Sequence, residues 1–263
     1  MVTVAEILKK FEDLAPPYMK EDWDNVGLLL GDPGKQVHKI LVALDPFEAV
    51  CHEAADWGAE LVVTHHPLIF QPVKSVTTDT ATGRSLLFLA SRGICAINAH
   101  TNLDYAPGGV NDVLARRLEL CEVEVVEPTG VDEAGRPYGL LRMGSVPPQS
   151  LEAFLGAVKE RLGCPGLRYV DGGKPVHRVA VGGGGCAGEL YQAARAGCDT
   201  FVTADCKYNQ FWDAQELGLS LIDAGHFYTE NPVCAYLAAE LQAAFPELMV
   251  KISEKHRDCM NFF

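Results

Sequence analysis

The sequence predicts an α/β protein with largely parallel strands, organised as two copies of one βαβαβ unit. Short apolar runs alternate with stretches of helical spacing. The chain matches itself at a shift of 139 residues, and both third strands are followed by one histidine-to-carboxylate spacing.

Thr3 and Glu6 make a capping box for an opening helix that Pro16-Pro17 ends. Residues 39–45 (KILVALD) read as a buried strand, PFEAVCHEAADWG as a helix stopped at Gly58, and residues 60–64 (ELVVT) as a second strand. Residues 83–93 read as a helix, 94–99 (ICAINA) as a third strand and 110–120 as another helix. Residues 127–139 (EPTGVDEAGRPYG) suit a linker or a surface excursion. The alternation then resumes: GLLRMGSV (strand), SLEAFLGAVKERLG (helix), LRYVDGGKP (strand and turn), HRVAV (strand), residues 187–197 (helix), DTFVTAD (strand), FWDAQELG (helix), SLIDAG (strand), residues 230–245 (helix) and LMVKIS (closing strand).

The self-match places Val37-His38-Lys39 on Val176-His177-Arg178, Gly58 on Gly197, and Val62-Val63-Thr64 on Phe201-Val202-Thr203. Residues 92–100 also match residues 217–226, with one extra glycine in the second copy. The chain divides on this reading into residues 1–126 and 127–263, with the functional site between the halves.

At 263 residues and 48% hydrophobic, the chain has ample material for one large core or two modest ones. Its formal charge of −13, without any cluster of Lys or Arg, opposes non-specific nucleic-acid binding and adhesion to anionic membranes. Nine cysteines without a C-x-x-C spacing read as reduced thiols of a cytoplasmic protein. The first residues lack the pattern of a secretory signal, and no apolar run is long enough to span a membrane.

The strand ends carry the chemistry. His65 and His66 follow the second strand of the first copy, where the second copy has Ala204 and Asp205. His100-x-x-x-Asp104 and His226-x-x-x-Glu230 follow the two third strands. Ligands of open α/β sheets collect at the carboxyl ends of strands. If the copies face each other there, three or four imidazoles and two or three carboxylates converge, a sulfur-free set suited to Zn, Fe or Mn. That is more than one catalytic zinc takes, so the pattern implies a dinuclear site. A lone strand-end histidine is more often merely solvated; the repetition of the spacing favours the metal reading. Asp45 and Asp205 suit either orientation of an imidazole or a helix N-cap.

WDNVGLLLGD (23–32), VTHHPLIF (63–70), NAHTNLDYAPGGVND (98–112) and LIDAGHFYTE (221–230) resemble the Nif-three-like, or YbgI, family, whose members are labelled GTP cyclohydrolase I type 2 homologue. The resemblance runs from about Trp23 to the last helix. It implies two intertwined α/β repeats with mixed, largely parallel sheets, and a hexameric toroid with metal pairs facing an inner cavity. It also implies two divalent ions per subunit held by His65, His66, Asp104, His226 and Glu230, with Glu230 bridging and His100 a pocket residue. One departure stands out: Asn209 lies where relatives often have histidine.

Two functions follow. The first is a metal-dependent hydrolase acting on a nucleotide or related small molecule, with His100 as proton shuttle. The second is a non-enzymatic hexameric scaffold for metal storage or delivery. Weaker signals remain. Gly183-x-Gly185-x-x-Gly188 fits a dinucleotide turn, or a turn whose N–H groups approach a substrate anion, or simply a tight strand-to-helix turn. Cys206 lies near the expected cleft, but no histidine is tied to it by spacing. Trp23 and Tyr228 suit either stacking on a substrate ring or packing.

Overall fold

The computed structural model describes residues 1–262. The chain folds as two compact units: Met1–Leu103 together with Val233–Arg257, and Asp104–Pro232 together with the tail from Asp258. This division differs from the halves 1–126 and 127–263. The helix Pro232–Ala244 leads to the strand Met249–Ile252, which pairs in parallel with Lys39–Ala43 and so draws the last long segment into the first unit. Residues 127–139 lie inside the second unit. They form a surface excursion whose two short strands, Gly130–Val131 and Pro137–Tyr138, pair antiparallel.

The first unit is built on a five-stranded sheet ordered Met249–Ile252, Lys39–Ala43, Leu61–Thr64, Cys95–Asn98, Gly27–Leu30. All pairs are parallel except the last. Leu41, Ala43, Val62 and Ala96 alternate onto one face and meet Val50, Cys51 and Ala54 of the helix Glu48–Trp57 and Leu86 and Leu89 of the helix Ala81–Ser91. The opening helix, Val4–Leu14, has its expected box: the Glu6 N–H donates to Thr3 Oγ1 and the Thr3 N–H to Glu6 Oε2.

The second unit carries a six-stranded sheet ordered Arg168–Val170, Ser220–Asp223, Thr200–Thr203, Val176–Val181, Arg142–Gln149, Cys121–Val125. Its three inner neighbours Val176–Val181, Thr200–Thr203 and Ser220–Asp223 run parallel. Val179, Val181, Val202 and Ile222 face one core; Ala180, Phe201 and Leu221 face another. Both faces are therefore covered, which is why these strands read as unbroken apolar runs.

The duplication is physical as well as textual. In both units three parallel strands are adjacent in the same order, and an antiparallel strand lies beside the third. Glu60 accepts the N–H groups of His38 and Lys39 where its strand begins, and Asp199 does the same for His177 and Arg178. The Ala99 N–H bonds Thr64 O, and the Ala224 N–H bonds Thr203 O. Equivalent bonds thus lead the chain out of each third strand at the point where the candidate ligands begin.

Candidate metal centre

In the first unit, three histidines leave strand ends together. His65 and His66 follow Leu61–Thr64, and His100 follows Cys95–Asn98. Their ring centroids lie 4.9, 5.3 and 5.5 Å apart, and one ring nitrogen from each lies within 4.8 Å of the others.

Each ring is held by its Nδ1. The fully buried His65 places Nδ1 2.9 Å from Ala99 O. His66 Nδ1 lies 2.6 Å from Asp45 Oδ1, and His100 Nδ1 lies 2.8 Å from Asp24 Oδ1. Carbonyl and carboxylate oxygens only accept, so each Nδ1 carries the hydrogen and each Nε2 keeps a lone pair. Asp24 is buried and also accepts the Thr101 N–H. Burial pushes its pKa up, but hydrogen bonds from His100 and Thr101 outweigh that and hold it at about 2.

The second unit carries the acidic residues of its own strand ends. His226 opens the one-turn helix His226–Glu230, and its spacing of four brings Nε2 to 2.9 Å from Glu230 Oε2. His226 Nδ1 lies 2.7 Å from Asp205 Oδ2. Burial disfavours charge on this ring, yet Asp205 on one nitrogen and Glu230 on the other lift its pKa to about 11. A cation binding there must displace a proton. Asp104 sits on a matching one-turn helix, Thr101–Tyr105, and is buried like Glu230. Burial first, then the charges of Asp104 and Glu230, raise the Cys186 thiol well above its usual range, so it stays a neutral neighbour.

The residues present fit a metal. All four imidazoles present the pattern of metal-bound histidine, in which the second nitrogen donates to a carboxylate or carbonyl that fixes the ring. The aspartates at 45 and 205 prove to be orienting partners. Glu230 is also cradled: a Cβ on Gly184 would lie 2.0 Å from Glu230 Oε1 and 3.0 Å from His226 Nε2.

The family model described as Duf34/NIF3 (NGG1p interacting factor 3) matches residues 2–258, nearly the whole chain. The protein belongs to the Duf34/NIF3 family. Within it, the chain is 36% identical over 257 residues to the GTP cyclohydrolase 1 type 2 homolog of Clostridium perfringens, covering 96% of this chain and 90% of that one. The Nostoc protein of the same name is 36% identical over 266 residues, covering 99% and 98%. Among solved structures, the Bacillus cereus protein related to NIF3 superposes with a TM-score of 0.93 at 26% identity, covering 100% of this chain and 99% of that one.

For a NIF3 protein the glycine turn at 182–185 has a structural explanation. The Gly182 N–H bonds Val202 O, the Gly183 N–H bonds Asn111 Oδ1 and the Gly184 N–H bonds Thr229 Oγ1. These three donors are occupied within the protein and so are not turned toward an anion or a pyrophosphate. Glycine is required instead because Gly184 has φ +60° and lies against Glu230. Cys206 is buried, and burial drives its thiol up to about 12, away from the thiolate a nucleophile needs. Asn209 is exposed on the helix Tyr208–Glu216 and reaches Asp213 of its own helix at 3.5 Å. Asp24 escaped sequence reasoning: it sits in the WDN stretch just before the short strand Gly27–Leu30, with no motif spacing to mark it as a site residue. All nine cysteines are free thiols, and no helix among the described residues is long and apolar enough to cross a membrane.

Proposed function

We propose that this protein is a metal-dependent hydrolase of nucleotide-like or related small molecules, and that the two donor sets serve one dinuclear centre. His65, His66 and His226 would supply imidazole to the ions, and Asp104 and Glu230 carboxylate. Neither set alone offers five donors of both kinds. The observation that carries the reading is that Nδ1 of His65, His66 and His226 is each engaged by a carbonyl or carboxylate oxygen, so that each ring would meet a cation through Nε2, His226 once its proton toward Glu230 is displaced.

Two bound divalent ions of the Zn, Fe or Mn type would supply Lewis acidity and acidify a water. The chain's own share is positioning and proton transfer. Asp24 holds His100 with its Nδ1 protonated, so Nε2 can accept a proton, and the Asp24 carboxylate then stabilises the imidazolium. Asp45 and Asp205 do the same orienting work for His66 and His226. A homohexamer is part of this proposal; it rests on family likeness, and sedimentation of the intact chain tests it.

The deciding experiment couples metal content to turnover. The chain is loaded with zinc, iron or manganese, its metal per chain is measured, and it is assayed against nucleotides, phosphoesters and cyclic amides. Two ions per chain and turnover of one class support the reading. Two ions with no turnover of any class favour the metal-storage scaffold instead.

A further inference from the structure

Beside the histidine cluster of the first unit, two large aromatic rings stay open to solvent: Trp23 is 60% exposed and Phe70 is 47% exposed. Single exposed apolar side chains are ordinary, but these two touch one another and share a third partner. Trp23 and Phe70 have centroids 5.8 Å apart at 69°. Each also meets His100 nearly at right angles, Trp23 at 6.1 Å and 74°, Phe70 at 6.0 Å and 80°. Three nearly perpendicular rings form a corner. Their mutual contacts are edge-to-face, which leaves π-faces of the two exposed rings without a stacked partner.

The corner is pinned through its neighbours. Asn25 Nδ2 donates to Ile69 O at 2.7 Å, which ties the backbone beside Phe70 to the segment carrying Trp23. Asn98 Nδ2 donates to Asn25 O, and Asp24 is fixed by His100 and Thr101. The three consecutive residues Trp23, Asp24 and Asn25 thus provide a ring, the anchor of His100 and the tether of the Phe70 segment. Rings already held in place lose little freedom when a ligand stacks on them.

Two ligand chemistries use aromatic faces: planar rings and organic cations. The corner shares His100 with His65 and His66, whose centroids lie 5.3 and 5.5 Å from it. Of the two ligand chemistries, the planar ring is the one that a nucleotide-like substrate carries, and competition by an organic cation tests the other. We infer that Trp23, Phe70 and His100 form a subsite for the planar, uncharged heteroaromatic ring of a purine-type ligand. As a substrate subsite this rests on the hydrolase reading; as a ring-binding site it stands without it.

Guanosine is the probe. Equilibrium dialysis of the zinc-loaded full-length protein is expected to give saturable guanosine binding, weakened roughly 10-fold or more by Trp23→Leu and by Phe70→Leu. Trp23→Phe, which keeps a π-face, is expected to restore most of the affinity. Both positions are exposed, so the variants are expected to melt like the parent. Parallel measurements of bound zinc and of guanosine binding to the metal-free protein separate the two claims. Guanosine binding by a chain that takes up no zinc leaves the subsite standing and removes the metal-dependent hydrolase reading. Two zinc ions without guanosine binding, equal binding by both Leu variants, or displacement of guanosine by tetramethylammonium overturns the subsite.

Discussion

Gly184→Ala is the substitution whose effect the geometry specifies most closely. The added Cβ would sit 2.0 Å from Glu230 Oε1 and 2.8 Å from its Cδ, where ordinary contact begins at 3.4 Å. The carboxylate must therefore retreat by about 1.4 Å, whereas metal–ligand distances tolerate only about 0.2 Å. Alanine at φ +60° adds about 1–2 kcal/mol of backbone strain, which a unit with two cores survives. The expected outcome is a folded protein whose melting point falls by a few degrees and whose metal affinity falls roughly 10- to 100-fold. Gly188→Ala is the control, since its Cβ would meet nothing within 4 Å. Chelator competition measures the affinity, and thermal melting the stability. Unchanged metal affinity in Gly184→Ala, with Gly188→Ala also unchanged, would refute the placement of Glu230 as a ligand.

Three more outcomes follow from the same geometry. Asp45→Asn removes the charge that fixes His66, and metal affinity is expected to drop about 10- to 100-fold by chelator competition, with the fold intact by circular dichroism. His100→Ala is expected to keep both ions while lowering turnover about 100-fold or more; loss of an ion by elemental analysis would make His100 a ligand instead. Glu53 supplies the pH dependence. Burial raises its pKa, but Ser253, the N–H groups of Glu254 and Lys255, and Lys251 together hold it at about 2, and its side chain is only 8% exposed. Its carboxylate therefore stabilises the fold by on the order of 3 kcal/mol above the ordinary glutamate range, and this is lost as pH falls from about 4.5 towards 2. Melting curves of Glu53→Gln are expected to show lower stability at neutral pH and a flatter acid limb; an unchanged acid limb would exclude this role.

Much of this was legible in the sequence, for identifiable reasons. Strands buried on both faces, such as Thr200–Thr203, announce themselves as apolar runs, and the apolar runs before His100 and His226 placed both histidine motifs at strand ends. The His-x-x-x-Glu spacing is one helical turn, which His226–Glu230 realises. What escaped depends on contacts between distant residues. Gly27–Leu30 is too short to stand out and is fixed by pairing with Cys95–Asn98. The last strand belongs to the first unit because it pairs with Lys39–Ala43 some two hundred residues earlier. Asp24 matters only because His100, 76 residues away, comes to lie 2.8 Å from it. The glycine turn stayed open in the sequence, because four glycines suit a ligand cradle and a tight turn alike, whereas the N–H groups of Gly183 and Gly184 bond Asn111 and Thr229.

X-ray absorption spectroscopy of the metal-loaded chain, alongside elemental analysis, tests the dinuclear centre most directly. Two ions per chain, a metal–metal separation of about 3.5–4 Å and a nitrogen/oxygen shell are the predicted result. A single ion per chain, or a sulfur-containing shell, would contradict it.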